Sequence, residues 1–300
     1  MPSSRPDHAA AGHAMPYLAA LAGVGMLALM DAFMKGASIA IGAYSASLLR
    51  YAIGFVIAAP IWLAAGGRWP RPEVLRVHLI RGVVVAFMAL SFFYALTKLP
   101  IAETIAISFI APLISLWLAR VLLGEQVRRE AVIAAIIGIA GTVVIIGGRI
   151  GREKMSEDAV LGLAAILFSA VLYAWNLVLQ RQQAQVANPG EVAAFHSGVG
   201  GLTLAVAAPF LLVLPDAEVL AAIGVSSVLT VAGAMILAWA YARAEAQVLV
   251  PLEYTGFLWA SLFGWLFFRE AVTATTIAGA IMIAFGSWYA APRRAPEQPT

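Results

Sequence analysis

The sequence contains no cysteine. Disulfides and thiolate metal centres are therefore excluded, and cysteine usage says nothing of the redox compartment. Charge is scarce too. Only 12% of the 300 residues are Asp, Glu, Lys or Arg, about half the usual 25%. So few charges cannot cover a soluble surface, which excludes a water-soluble enzyme. The 19 basic and 16 acidic residues leave a net charge of +3. The basic residues are scattered singly or in pairs, so no patch suited to nucleic acid exists. The four histidines, His8, His13, His78 and His196, lack metal-ligand spacing, and no metal or other cofactor is implied. An intramembrane enzyme would need a nucleophile–base pair or a metal constellation. Neither pattern is legible, so no enzymatic activity is expected.

What is abundant is apolar sequence: 62% of the residues, with a mean hydropathy of +0.89. A helix needs roughly 20 such residues to cross a hydrocarbon core of about 30 Å. Runs of that kind cover Met15–Lys35, Ser45–Gly66, Val77–Thr97, Ile101–Leu123, Ala131–Gly148, Ala159–Gln180, Val192–Leu214, Ile223–Ala242, Gln247–Phe268 and Val272–Ala291. They are too unbroken for transmembrane strands, which alternate apolar and polar residues. The expected fold is an all-α membrane protein of ten transmembrane helices in a lipid bilayer. Residues 1–14 and 292–300 read as polar tails rather than targeting segments. With a cytoplasmic N-terminus, 12 basic residues (Arg5, Arg68, Arg71, Arg76, Arg81, Arg120, Arg128, Arg129, Arg181, Arg243, Arg293 and Arg294) fall on the cytoplasmic side. Lys35, Lys98, Arg149, Arg152, Lys154 and Arg269 fall outside. The positive-inside rule then puts both termini in the cytoplasm.

The most polar interruption, the loop 149–158, divides five spans from five. The halves, 15–148 and 159–291, can be laid over one another. At an offset of 145, Gly124-Glu125 meets Arg269-Glu270, Gly141-Thr142 meets Gly286-Ser287, Tyr94 meets Trp239 and Phe109 meets Tyr254. At 146, Arg50 meets His196 and Gly54 meets Gly200. Five being odd, the second half enters upside down relative to the first. Such inverted repeats characterise secondary transporters, with the substrate near the midplane between the halves.

The motifs carry a resemblance. Tyr94-Ala95 through Ala102, Ala111-Pro112 and Leu123-Gly124-Glu125 in the first half answer to Tyr241-Ala242, Pro251-Leu252-Glu253-Tyr254-Thr255 and Phe268-Arg269-Glu270 in the second. The chain resembles the EamA-type, ten-helix branch of the drug/metabolite transporter superfamily over nearly its whole length. It departs in the second half, where Phe257 stands in place of Pro112 and Arg269 in place of a glycine. Within that branch it is most similar to YddG-type bacterial exporters of aromatic amino acids. The resemblance implies export of Phe, Tyr or Trp across a bacterial inner membrane by a functional monomer, through alternating access at a central cavity. Another small metabolite or a cationic drug, with or without proton coupling, is the alternative. Sugar phosphates and nucleotide sugars are disfavoured, because phosphate calls for several cavity Lys or Arg and the span centres carry none.

The resemblance also places helices three, four, six, eight and nine around the cavity, and so marks Tyr94, Phe109, Phe168, Tyr173, Trp175, Trp239, Tyr254 and Trp259 as candidate lining. Aromatic walls suit a flat side chain by stacking and an ammonium by cation–π contact. Interfacial belts are the competing explanation, and Trp62, Trp69 and Trp288 belong there. Polar groups inside the spans come from Ser91, Ser108, Ser169, Ser261 and Asn176. Serine hydroxyls often bond back to their own helix, which makes Asn176 the better ligand. Asp31 and Lys35 share a face of the first helix; either Arg50 joins them in an external ionic network, or Arg50 or Lys35 meets a substrate carboxylate there. Glu125 and Glu270 are expected to end their helices, with Arg128, Arg129 or Arg269 as partners. Ala134, Gly138, Thr142, Gly279 and Gly286 mark close helix contacts in the scaffold. Asp31 and Glu253 are read as the acids well inside the spans, and neither reaches the midplane. Gradient-independent export is expected, with a local structural or gating role for Glu253.

Overall fold

A computed structural model describes residues 7–123, 129–150, 156–184, 186–241, 243 and 252–290. Among them the regular structure is entirely helical. Helix α1 (Asp7–Ala64) changes direction at Gly42, whose φ of 82° and ψ of 148° suit a residue without a Cβ. Its two arms, 7–41 and 43–64, are the first two expected spans, joined at a single residue. Helix α1 already begins at Asp7, inside the stretch 1–14 read as a tail. Helix α2 (Pro72–Lys98) starts on a proline, which needs no N–H donor there, and stops before Leu99 and Pro100.

The fourth expected span is two helices, α3 (Ile101–Ser108) and α4 (Ala111–Leu123). Pro112 lacks the N–H that would bond the Ser108 carbonyl, so the ladder breaks at Phe109 and Ile110. Helices α5 (Arg129–Ile150) and α6 (Glu157–Ala184) follow. Helix α7 (Pro189–Ala205) is capped by Asn188, whose Oδ1 accepts from the Glu191 amide at 2.9 Å. The short α8 (Ala208–Leu211) continues it, and the chain leaves helical conformation before the expected end at Leu214. Helix α9 (Ala217–Tyr241) begins six residues before the expected Ile223, because Asp216 Oδ1 takes the Val219 amide at 2.8 Å. Helices α10 (Gly256–Phe268) and α11 (Ala274–Ala290) complete the described fold.

Both arms of α1 share the centre with α9 and α7, α2 packs on α6, and α5 packs on α11. The main core joins Met34, Tyr51, Phe93, Leu96 and Ile101, and a second cluster joins Ile145, Leu163, Ile166 and Ile283. Among the described residues, four helical segments are long and apolar enough to cross a membrane. Outward faces are apolar as well: Val160, Leu161, Leu167 and Val171 form one exposed stripe on α6, and Phe210 is 87% exposed. That surface fits lipid, not water.

Candidate functional site

Two helix breaks meet at the centre. One is Phe109-Ile110, between α3 and α4; the other is Tyr254-Thr255, just before α10. The Phe109 and Tyr254 rings touch edge to face, with centroids 5.0 Å apart. Thr255 helps to hold the second break by donating its hydroxyl to the Leu252 carbonyl at 2.6 Å. Trp259, one turn into α10, lies against Gly25 of α1 so closely that a Cβ there would sit 3.1 Å from the indole. Tyr173 of α6 stands within electrostatic range of Asp31, Glu253 and Tyr254. Four of the expected aromatic residues are thus brought toward the two breaks: Phe109 and Tyr254 in contact, Trp259 one turn on, and Tyr173 within electrostatic reach of Tyr254.

Beside them lies a cationic centre. Arg50 rests its guanidinium between two rings, 4.8 Å from the centre of Tyr51 and 5.3 Å from that of Phe93. Its Nε is buried without a hydrogen-bond partner. Asp31 is the acid whose charge it feels. Tyr51 donates its hydroxyl to the Val85 carbonyl at 2.8 Å and packs on His196, ring centroids 5.7 Å apart. Arg81 also acts on Tyr51 and His196. It is only 7% exposed, nine residues or about 14 Å into α2 at 1.5 Å per residue. The expectation of span centres without Arg is corrected: Arg50 and Arg81 approach one ring from two helices, which a linear charge count does not show.

Arg81 heads a buried polar chain. Its Nε donates to Asn176 Oδ1 at 2.9 Å, and its NH1 donates to Gln183 Oε1. Gln183 Nε2 reaches His78 Nδ1 at 2.5 Å, and His78 Nε2 meets Glu191 Oε1 at 2.8 Å. His78 is 1% exposed and Gln183 2%. Phe195 stacks on His78 at 4.5 Å, and Trp62 and Trp69 pack edge-on against Phe195 at 5.5 and 5.6 Å. Glu191 thus joins the buried acids of the fold. Glu191 lies one residue before the expected span boundary at Val192, yet folds inward against α2.

The opposite end of the bundle is closed by a second charged group. Lys35 pairs with Glu270 and donates to the Leu99 carbonyl at 2.7 Å, while Glu270 Oε2 accepts from the Ile101 amide at 2.8 Å. The expected partner Arg269 instead places its guanidinium 5.3 Å from the Trp265 ring centre, and Lys35 turns from Asp31 to α10. Glu125 and Arg128 lie outside the described residues.

Other candidates are dispersed. Phe168 (53% exposed) and Trp175 (38%) fall on the outward stripe of α6, and Trp239 lies exposed under Arg243 at 4.3 Å. Tyr94 sits 6.0 Å from the Lys98 ammonium near the Lys35 end. Ser91, Ser108 and Ser261 donate to carbonyls of their own helices, and Ser169 crosses to Met88 of α2.

The EamA-like transporter family model matches residues 14–147 and again 160–291. The chain is 29% identical to the pseudopaline exporter of Pseudomonas aeruginosa over 262 residues, 85% of this chain and 88% of that one. It is 34% identical to the aromatic amino acid exporter YddG of Ancylobacter novellus over 169 residues, 53% of this chain and 55% of that one. A riboflavin transporter of Brucella anthropi is 26% identical over 80% of this chain and 84% of its own. One crystal structure superposes with a TM-score of 0.61 at 23% identity, covering 91% of this chain and 96% of that chain.

Proposed function

The chain belongs to the EamA-like transporter family, and on that premise we propose that it exports aromatic amino acids across the bacterial inner membrane as a monomer. The observation that carries this reading is the meeting of the Phe109 and Tyr254 rings at the two helix breaks, with Trp259 one turn on and with Arg50 and Asp31 within electrostatic reach of each other nearby. A zwitterion presents an ammonium to the acid and a carboxylate to the guanidinium, and an aromatic side chain then stacks on the rings. No reacting constellation is needed; the reading is of a carrier, not an enzyme.

The architecture proposed with it is ten spans in two inverted five-helix repeats. Reciprocal contacts support it. Gly54 approaches Ser197, and Gly200 approaches Tyr51; the offset of 146 turns each member of the first pair into a member of the second. Both helix breaks also obey the offset of 145, and the Phe109 and Tyr254 rings that touch are mates under it. A pseudo-two-fold axis near the midplane accounts for these pairings, and rocking of the halves about it would open the site to each side in turn. The test is counterflow in proteoliposomes loaded with unlabelled phenylalanine. Uptake of labelled Phe, Tyr and Trp well above that of labelled alanine supports the reading. Equal exchange of all four, or none while riboflavin exchanges, overturns it.

A further inference from the structure

The buried chain from Arg81 to Glu191 has a direction that its chemistry fixes. An arginine only donates hydrogen bonds, so Gln183 must turn its Oε1 toward Arg81. Its amide nitrogen then faces His78, and the Nδ1 it meets must be a bare acceptor. The ring proton of His78 therefore sits on Nε2 and is donated to the Glu191 carboxylate. Every bond points from the guanidinium toward the acid, and His78 is held neutral.

A second proton on His78 Nδ1 would set donor against donor at Gln183. Turning the amide over repairs that contact but presents an NH2 group to Arg81, again donor against donor. In neither of these orientations does Gln183 satisfy both a protonated His78 and Arg81. We propose that His78 and Glu191 form a proton-binding site whose occupancy releases Arg81 from Gln183. Arg81 then offers its charge to an anionic group of the substrate near Tyr51 and His196. The described titratable and charged groups facing the chain are Arg50 and Tyr51 of α1, Arg81 of α2, and Glu191 and His196 of α7; α6 contributes the neutral Asn176 and Gln183. Phe195, one turn of α7 beyond Glu191, stacks on His78 and is itself met edge-on by Trp62 and Trp69.

Linkage is reciprocal: protons raise the affinity for the anion, and the anion raises the affinity for the proton. A proton bound with the substrate leaves with it, so on this proposal export runs down the substrate gradient and against an inward proton gradient, in place of the gradient-independent export expected from Asp31 and Glu253. The inference deepens the transport reading, and its ligand class is a carboxylate bound alongside one proton.

The decisive measurement uses the full chain in lipid nanodiscs with 15N-labelled histidine and arginine side chains, first without substrate. At pH 8 the His78 signals should be those of the neutral Nε2–H form. Between pH 8 and 5 they should change to the doubly protonated form, with the Arg81 Nε signal moving in step. In Gln183→Leu the His78 change should persist while Arg81 no longer follows it. A His78 that stays neutral to pH 5, or titrates without moving Arg81, overturns the proposal. In proteoliposomes the KM for phenylalanine exchange should fall about tenfold from pH 8 to 6, the gain expected for a proton-linked charge–carboxylate contact, and the fall should vanish in His78→Gln. A wild-type KM that does not change with pH overturns the linkage. A chain that exchanges no phenylalanine yet shows linked His78 and Arg81 signals supports the proton relay and sinks only the amino-acid reading.

Discussion

Arg50 is the residue whose role can be isolated by chemistry. Its guanidinium faces are taken by Tyr51 and Phe93, but its buried Nε has no partner. A hydrogen bond between charged partners contributes about 1.5–3 kcal/mol, roughly 10- to 100-fold in KM. Arg50→Gln is therefore expected to weaken phenylalanine exchange by that factor and to leave the exchange of phenylalaninamide, which lacks the carboxylate, within about twofold. Equal loss for both compounds would assign Arg50 to packing. Tyr254→Ala removes one ring face, for about 1 kcal/mol or roughly fivefold, and should penalise Trp and Phe more than alanine. At this scale the sequence was informative where the repeat relates the mates: Phe109 and Tyr254 followed from one offset. It was silent where partners come from three helices. Glu191 and Arg81 looked like boundary charges because hydropathy along the chain carries no information about which side of a helix turns inward.

Among the elements, α5 and α11 show how small residues set the helix spacing. A Cβ added at Gly279 would lie 2.5 Å from the Gly141 carbonyl, and one at Gly141 would lie 2.7 Å from the Gly279 carbonyl. The Ile145 side chain, 2.4 Å from a Cβ at Gly279, could shift, but the backbone carbonyls on each side could not. Gly279→Val should lower the midpoint of thermal unfolding in detergent, with an overpacking cost of about 1–3 kcal/mol. Gly147→Ala, on α5 where nothing lies within 4 Å, should leave it unchanged or slightly raised. If the two variants melt alike, the contact between α5 and α11 carries no strain. The spacing of apolar runs made these helices legible, because each must span a similar thickness. Their interruptions were less so. Pro112 explains one break from sequence, whereas the break at Tyr254-Thr255 depends on a hydroxyl bonding its own backbone. Gly42 kinks α1 within a single residue, inside the gap left between the expected spans ending at Lys35 and starting at Ser45.

The whole molecule has two differently built ends, and the absence of cysteine makes their sidedness directly measurable. One end gathers the start of α2, the end of α9 and the aromatic cover over His78; Arg68, Arg71, Arg76 and Arg243 belong to it. The other gathers the start of α6 and of α9, where Lys35 and Glu270 pin α1, the turn before α3 and the end of α10 together. The basic end should be cytoplasmic, because arginines flanking spans resist translocation. Arg71 and residue 217, next to the exposed Glu218, are mates at the offset of 146. An inverted repeat puts them on opposite faces of the membrane; a parallel repeat would put them on the same face. Single substitutions Arg71→Cys and Arg243→Cys should therefore react with an impermeant maleimide only after cells are opened, and Glu157→Cys and Glu218→Cys should react in intact cells. Labelling of Arg71→Cys and Glu218→Cys from the same side would refute the inverted arrangement. Labelling of the two pairs from the reversed sides would keep the inversion but place the His78 end outside, so that the proton reaching it would come from the periplasm.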